Sequence, residues 1–508
     1  MTRDSDITAR NGGAKTAVII GGGPAGLTAA RELAMSGNGI TPVVVEAGDC
    51  VGGLCRTIVH NGLRMDIGGH RFFSKSDIVN DWWRSVLDYD GDPEAQDNVM
   101  MLRQRVSHIY FKRRFIDYPV TPSWHTLRDI GLCDAVRSAA GYVAAKVRPR
   151  RPEATLEDFY INRFGRPLYR MFFEDYTAKV WGTHPSGMNA DWGSQRVKGL
   201  SISALLRDML TRQKGGKSDG THVETSLIDR FRYPKYGPGQ LWDAVAQQVR
   251  QHGGTVLTGR RVTSVNIDAA SRRVCSVTVT DRDGNRQDIP CEYVLSSMPL
   301  CDLVPGLRGI DIPAGILADA SALPYRDFVT LGLLVNSLAI RARGGKPLSD
   351  TWIYIQDKGV RLGRLQIFNN WSPYLVPTQG VWLGLEYFCG QGDELWTMAD
   401  EDFAHMAAGE LRRIGIIGTH TDIRDSIRIR VPKAYPAYHG AYAAMPRIRA
   451  FLDSIDGLYC IGRNGQHRYN NMDHSMLTAI AAVRAIQGTE DKHNVWDVNT
   501  DGTYHEQR

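Results

Sequence analysis

The feature that most limits what this chain can become lies between residues 16 and 46. Thr16–Ile20 (TAVII) is a short, β-branched apolar run of the kind that fills a buried parallel strand. It leads directly into Gly21-Gly22-Gly23-Pro24-Ala25-Gly26, then into LTAARELAMSG, whose apolar residues recur at helical spacing, with Gly37 as the stop. A second apolar run, Pro42–Val45, ends in Glu46, 20 residues after Gly26. Each part has a physical task. Gly21 allows a tight turn, Gly23 lets backbone approach a pyrophosphate, and Gly26 lets helix and strand pack closely. The free N–H groups at the helix start favour anionic oxygen, and the carboxylate of Glu46 can accept from a ribose diol. The segment therefore reads as a βαβ unit that holds a dinucleotide.

The following residues narrow the choice of dinucleotide. Glu46-Ala47-Gly48-Asp49-Cys50-Val51-Gly52-Gly53-Leu54-Cys55-Arg56-Thr57 carries a second glycine turn and an arginine. This run resembles the extended FAD signature of the glutathione-reductase-type flavoproteins, especially the branch of amine oxidases, phytoene desaturases, protoporphyrinogen oxidases and UDP-galactopyranose mutases. A longer diphosphate and ribityl chain needs more backbone donors and a cation past the first turn, and Glu46 repels a 2′-phosphate. The expected cofactor is thus non-covalent FAD, held by Gly21, Gly23, Pro24, Ala25, Gly26, Glu46, Ala47, Gly53, Leu54 and Arg56. The resemblance implies two further contributions. One is Val262, beside the adenine. The other is Gly462-Arg463 followed by a helix beginning near Asp473, with Asn471, Met472 and Ser475 at its start.

The expected fold class is therefore α/β, a doubly wound Rossmann-like FAD domain with a discontinuous sheet-plus-helix substrate domain. The FAD domain is assigned to residues 16–75, 225–300 and 455–490, with a mainly helical insertion at 76–224 and a sheet-containing substrate domain at 301–454. Residues 1–15 and 491–508 read as loose tails, and Lys214–Thr221 as a polar, glycine-rich flap.

Asp66-Ile67-Gly68-Gly69-His70-Arg71-Phe72-Phe73-Ser74 places two glycines and a histidine where backbone could lie against a flat ring system. Four further runs accompany it, at Asp175–Gly182, Asp191–Val197, Tyr233–Gly239 and Gly462–Ser475. Together they resemble the UDP-galactopyranose mutase family, in order from about residue 16 to 485, with the YNNMDHS run nearer its eukaryotic-type members. The resemblance implies that Gly68, Gly69 and His70 lie beside the flavin. It also implies that Tyr176, Lys179 and Trp181 approach the nucleotide end of a substrate, that Arg196 pairs with its diphosphate, and that Tyr435, Tyr469 and Asn471 lie near diphosphate and sugar. His70 and Arg196 are the expected catalytic pair. A second diphosphate arginine is expected at the end of strand Phe328–Val335, where this chain has Asn336.

The implied activity is ring isomerisation of a nucleotide-linked sugar between pyranose and furanose forms through an N5–sugar adduct of reduced FAD, without net redox. A nicotinamide, NAD(P)H, or a cellular reductase supplies the electrons. The alternative is an FAD-dependent oxidase or desaturase of the amine oxidase or protoporphyrinogen oxidase type. Composition excludes other classes. Lys and Arg number 61 against 55 Asp and Glu, with no long basic run to meet nucleic acid. Eight cysteines are scattered without CxxC pairs, so neither a zinc site nor a secreted disulfide framework is expected, and no metal is assigned. No apolar stretch is long enough to span a membrane and no signal peptide is read at Met1–Ala14, which points to the cytoplasm. A homo-oligomer is left open.

Overall fold

The computed structural model describes residues 15–118, 131–190 and 230–499. Its centre is a five-stranded sheet in the order Leu458–Cys460, Tyr293–Ser296, Lys15–Ile20, Ile40–Val45, Thr255–Leu257, with every pairing parallel. Each strand is an almost uninterrupted apolar run because both of its faces are covered. Helices Pro24–Met35, Pro238–Gln251 and Met472–Ile486 pack on one face, enclosing Leu27, Trp242 and Met476. The other face meets a sheet of strands Arg261–Asp268, Arg273–Thr280, Arg286–Pro290 and Leu307–Arg308, together with helix Met445–Asp453. This is the expected α/β fold. The helix after the first glycine turn stops at Met35, one residue before Ser36 and two before Gly37, whose φ is +64°.

A seven-stranded sheet forms the second wall, ordered Ile423–Pro436, Tyr325–Val335, Val381–Cys389, Arg364–Ile367, Trp352–Ile355, Ser107–Phe111, Arg114–Asp117. One face lies on helix Asp400–Ile414 through Phe403, Ala407 and Leu411. The other carries helices Leu156–Phe164, Arg166–Phe172 and Glu174–Trp181, whose aromatic residues pack on Phe328, Val431 and Tyr435.

The segment read as a mainly helical insertion is more mixed than expected. It does supply helices, including Leu132–Val147, but it also adds the last two strands of the seven-stranded sheet. A further strand from it, Met100–Gln104, pairs with Arg230–Pro234. The β-branched and aromatic content of Ser107–Phe111 fits an interior strand, and the helical stretches around it masked that local signal. Of the helical run expected across Leu156–Leu210, the part beyond residue 190 lies outside the described residues, as does Lys214–Thr221. No helix among the described residues is long and apolar enough to cross a membrane.

Trp242 is wholly buried under the parallel sheet, with Trp82 at 6.0 Å between ring centroids. Trp242→Ala should lower unfolding free energy by roughly 3–5 kcal/mol. Urea denaturation followed by circular dichroism would check this.

Candidate active site

The carboxyl ends of the five parallel strands open into one cavity of ≈ 1520 Å³. Open parallel sheets place ligands at that edge, and the volume exceeds the roughly 300–1,000 Å³ of an ordinary small-molecule pocket. Gly21, with φ +99°, turns the chain out of the first strand, and a Cβ there would fall 2.2 Å from Ser297 Oγ. Gly23 and Gly53 face each other across the two glycine turns, and a Cβ on Gly53 would sit 3.0 Å from the Gly23 Cα. Gly23 caps helix Pro24–Met35 without a side-chain bond, which leaves the first-turn N–H groups for an anion. The carboxylate of Glu46 ties this edge together, accepting from Gly22 N at 2.7 Å and Gly48 N at 2.6 Å.

Most residues expected at the cofactor line this arm. Gly21, Gly23, Pro24, Ala25, Glu46, Ala47, Gly53 and Leu54 do so from the first segment, and Val262 from strand Arg261–Asp268. Gly462, Arg463, Asn471, Met472 and Ser475 do so from the last segment. Two expectations need correction. Gly26 does not line the cavity; it allows contact, since a Cβ there would stand 1.9 Å from the Gly21 carbonyl oxygen. Arg56 also stays out of the lining, because its Nη1 donates to Gly53 O at 2.9 Å and braces the second glycine turn from behind.

Gly68, Gly69 and His70 line the middle of the cavity. Gly69 is obligatory, as a Cβ would fall 2.0 Å from the Trp352 ring. Burial holds the His70 imidazole down to about 4, and the nearby positive charge of Arg463 acts in the same direction. The ring is therefore neutral near pH 7, and its Nδ1 has no hydrogen-bond partner among the described residues.

Beyond His70 the lining turns polar and cationic. Arg364 reaches it from strand Arg364–Ile367, directly opposite Glu386 in the register. Its Nη1 donates to Glu386 Oε2 at 3.2 Å and to the Tyr435 hydroxyl at 3.3 Å, and its Nε donates to the Tyr176 hydroxyl at 2.9 Å. Gln366 completes the set by donating to Glu386 Oε1 at 2.9 Å. Tyr435 and Tyr469 stack at 5.8 Å with their planes 10° apart, and the Arg463 guanidinium lies 4.8 Å from the Tyr469 ring. A guanidinium, two tyrosine rings and a second arginine thus face one space, the donor set that planar or tetrahedral oxyanions require.

The expected substrate residues divide four ways. Tyr435, Tyr469 and Asn471 line the cavity. Tyr176 stands behind Arg364 and orients it. Lys179 and Trp181 do not reach the lining: Lys179 Nζ donates to the carbonyls of Leu362 at 2.9 Å and Ile355 at 3.3 Å, and Trp181 is packed edge-on to Tyr435. Both lie on helix Glu174–Trp181, whose inward face packs on the seven-stranded sheet. Arg196 lies outside the described residues. Asn336 is exposed at the far end of its strand, where its N–H donates to Asp422 O, so this position is no part of the cavity. Sequence reasoning missed Arg364 and its partner. The signal was present as charged and polar residues inside otherwise apolar strand runs, RLQI and VWLGLEYFC.

Arg364→Met would leave Glu386 buried without its cation and should cost about 3–5 kcal/mol of stability, while Arg364→Met with Glu386→Gln should recover much of it; denaturant midpoints of the two variants decide. His70 binds a proton less readily when folded, so its contribution to stability is complete above the ordinary value of about 6.5 and is lost as pH falls toward 4. His70→Gln should flatten that slope in denaturation measured from pH 7 to pH 4.

Comparison with known proteins places this geometry. A solved structure of reduced UDP-galactopyranose mutase superposes with a TM-score of 0.77 at 22% identity, covering 95% of this chain and 96% of that one, a likeness of fold. Protoporphyrinogen oxidase 2 of Arabidopsis thaliana is 21% identical over 490 residues, 91% of either chain. L-amino-acid oxidase of Crotalus adamanteus is 33% identical over 115 residues, 22% of either chain. The description that matches residues 24–486 is that of the flavin containing amine oxidoreductases, and the chain belongs to that family.

Proposed function

We propose that this chain is an FAD-dependent pyranose–furanose mutase acting on a nucleoside-diphosphate sugar. The residues fit the cofactor. The opposed turns at Gly23 and Gly53 form a cradle that any side chain would fill, and the uncapped helix start at Pro24 suits a diphosphate. In this reading Glu46 meets the adenosine ribose, Val262 the adenine, and Gly462, Arg463, Asn471, Met472 and Ser475 the flavin end. When bound, reduced FAD supplies a nucleophilic nitrogen and so spares the protein a covalent side chain.

The observation that carries the proposal is Arg364 with its tyrosines. An oxidase of apolar or amine substrates needs an apolar or acidic chamber beside the flavin. Here the chamber presents Arg364, Arg463, Tyr435 and Tyr469, and the buried carboxylate of Glu386 behind them is already engaged by Arg364 and Gln366. As the anomeric C–O bond breaks, negative charge gathers on the departing diphosphate. Arg364 and the Tyr435 hydroxyl are preorganised to receive it, and Tyr176 keeps the guanidinium in orientation. Arg364 thereby takes the role first sought at Asn336, and Arg196 keeps its proposed role as the other diphosphate arginine. Neutral His70 can share a proton with a sugar hydroxyl without adding charge beside the ring. NAD(P)H is the proposed electron source.

The test is anaerobic incubation of dithionite-reduced protein with nucleotide hexoses, read by NMR. A furanose product is expected, and Arg364→Lys should lower its rate roughly 10²-fold while the flavin spectrum persists. Steady oxygen consumption with an amine or porphyrinogen, and no ring-contracted sugar, would sink the proposal.

A further inference from the structure

Arg71 follows His70 in the cavity lining and has no carboxylate partner among the described residues. Its side chain crosses the start of the one parallel pair in the seven-stranded sheet, where Trp352 is in register with Ser107. Nη2 donates to Ser107 Oγ at 2.8 Å and to Thr351 Oγ1 at 3.4 Å. Three rings surround the guanidinium, Phe231 at 5.5 Å, Trp352 at 5.7 Å and Trp371 at 5.8 Å. Such contacts attract a cation but do not neutralise it. Buried arginines are ordinarily paired with a carboxylate, as Arg364 is with Glu386 at 3.2 Å. Arg71 makes no ion pair among the described residues, and Nε has no partner there. Burial and the neighbouring positive charge of Arg105 both pull it down, to about 10.

Arg105 lines the same part of the cavity beside the Tyr118 ring, 5.6 Å away. The Trp352 ring touches both cationic groups: the Arg364 guanidinium lies 5.3 Å from its centroid and that of Arg71 5.7 Å. A diphosphate seated on Arg364 leaves the Arg71–Arg105 half uncompensated. From this juxtaposition we infer that Arg71 and Arg105 form a second anion subsite, which receives a carboxylate on the glycosyl ring, so that the substrate is a nucleoside-diphosphate hexuronic acid. A carboxylate suits the place better than a phosphate. Arg71 has already committed one nitrogen to Ser107 and Thr351, and a single planar charge is matched by the donors that remain. The inference rests on the nucleotide-sugar reading above and names its sugar class.

The experiment uses the flavin-loaded full chain. UDP, UDP-glucose, UDP-glucuronate, GDP, GDP-mannose and GDP-mannuronate are titrated in parallel by calorimetry, with the flavin absorbance recorded. In one nucleotide series the uronate should bind roughly ten- to a hundredfold more tightly than its neutral partner, the range that one charge-assisted pair provides. In Arg71→Lys and in Arg105→Gln that ratio should fall toward one, with the flavin spectrum retained. The second variant alters only a partly exposed side chain, which guards against a folding failure at the first. Equal binding of uronate and neutral sugar, or a preference that survives both substitutions, overturns the subsite and leaves the nucleotide-sugar reading in place. Failure of all six compounds to bind overturns both.

Discussion

The cavity depends on the distance at which backbone can approach backbone along the carboxyl edge of the parallel sheet. Gly21 is crowded by Ser297, Gly26 by the carbonyl of Gly21, and Gly53 by the Cα of Gly23. None of these contacts tolerates a methyl group without displacement of main chain, because the neighbouring atoms are themselves backbone or held by it. Ser297 Oγ donates to Ile20 O at 2.8 Å, and Gly52 N donates to Gly22 O at 2.8 Å. The first turn is thus anchored by segments nearly three hundred residues apart, and the uncapped start of helix Pro24–Met35 is positioned by that anchoring.

The second organising fact is the change in electrostatic character along the cavity. The arm at the glycine turns presents neutral backbone donors and the carboxylate of Glu46, which accepts one N–H on each oxygen and keeps acceptor capacity for a ligand. The inner chamber is lined by guanidinium groups and phenols. One buried ion pair, Arg364 with Glu386, holds the chamber wall, and its desolvation cost is offset by the bond Gln366 donates to Glu386 and by those Arg364 donates to the Tyr435 and Tyr176 hydroxyls. His70 sits where the two regimes meet and is kept uncharged by both burial and the arginine beyond it. An anionic ligand in the chamber would relieve a field that the protein otherwise bears alone.

The glycine-rich half was legible because glycine, proline and a terminal carboxylate report geometry directly. Strand, turn and helix occur in unbroken order from Thr16 to Glu46, so local sequence determines local shape. The chamber was only partly legible. Tyr435, Tyr469 and Asn471 could be picked out, yet Lys179 and Trp181, one helical turn from Tyr176, turn into carbonyls and core. That difference depends on the rotation of a helix against a sheet, which spacing alone does not set. Arg364 and Glu386 are 22 residues apart and meet through strand register, so only the pairing of their strands reveals them as a unit. Asn336 was misplaced for the same reason: a strand has two ends, and its sequence does not say which one faces the ligand.

The order of strands in the parallel sheet also bears on how the molecule comes into being. Lys15–Ile20 lies at the centre, flanked by its near neighbour Ile40–Val45 and by Tyr293–Ser296, which in turn pairs with Leu458–Cys460. A nascent chain therefore makes its dinucleotide cradle first and the strand that completes its edge last. Through most of synthesis that half-built sheet exposes pairing groups and apolar faces, a situation that slows folding and invites aggregation. Closure of that edge is consequently a late event in the making of the chain, because its last strand, Leu458–Cys460, is also nearly the last to be synthesised.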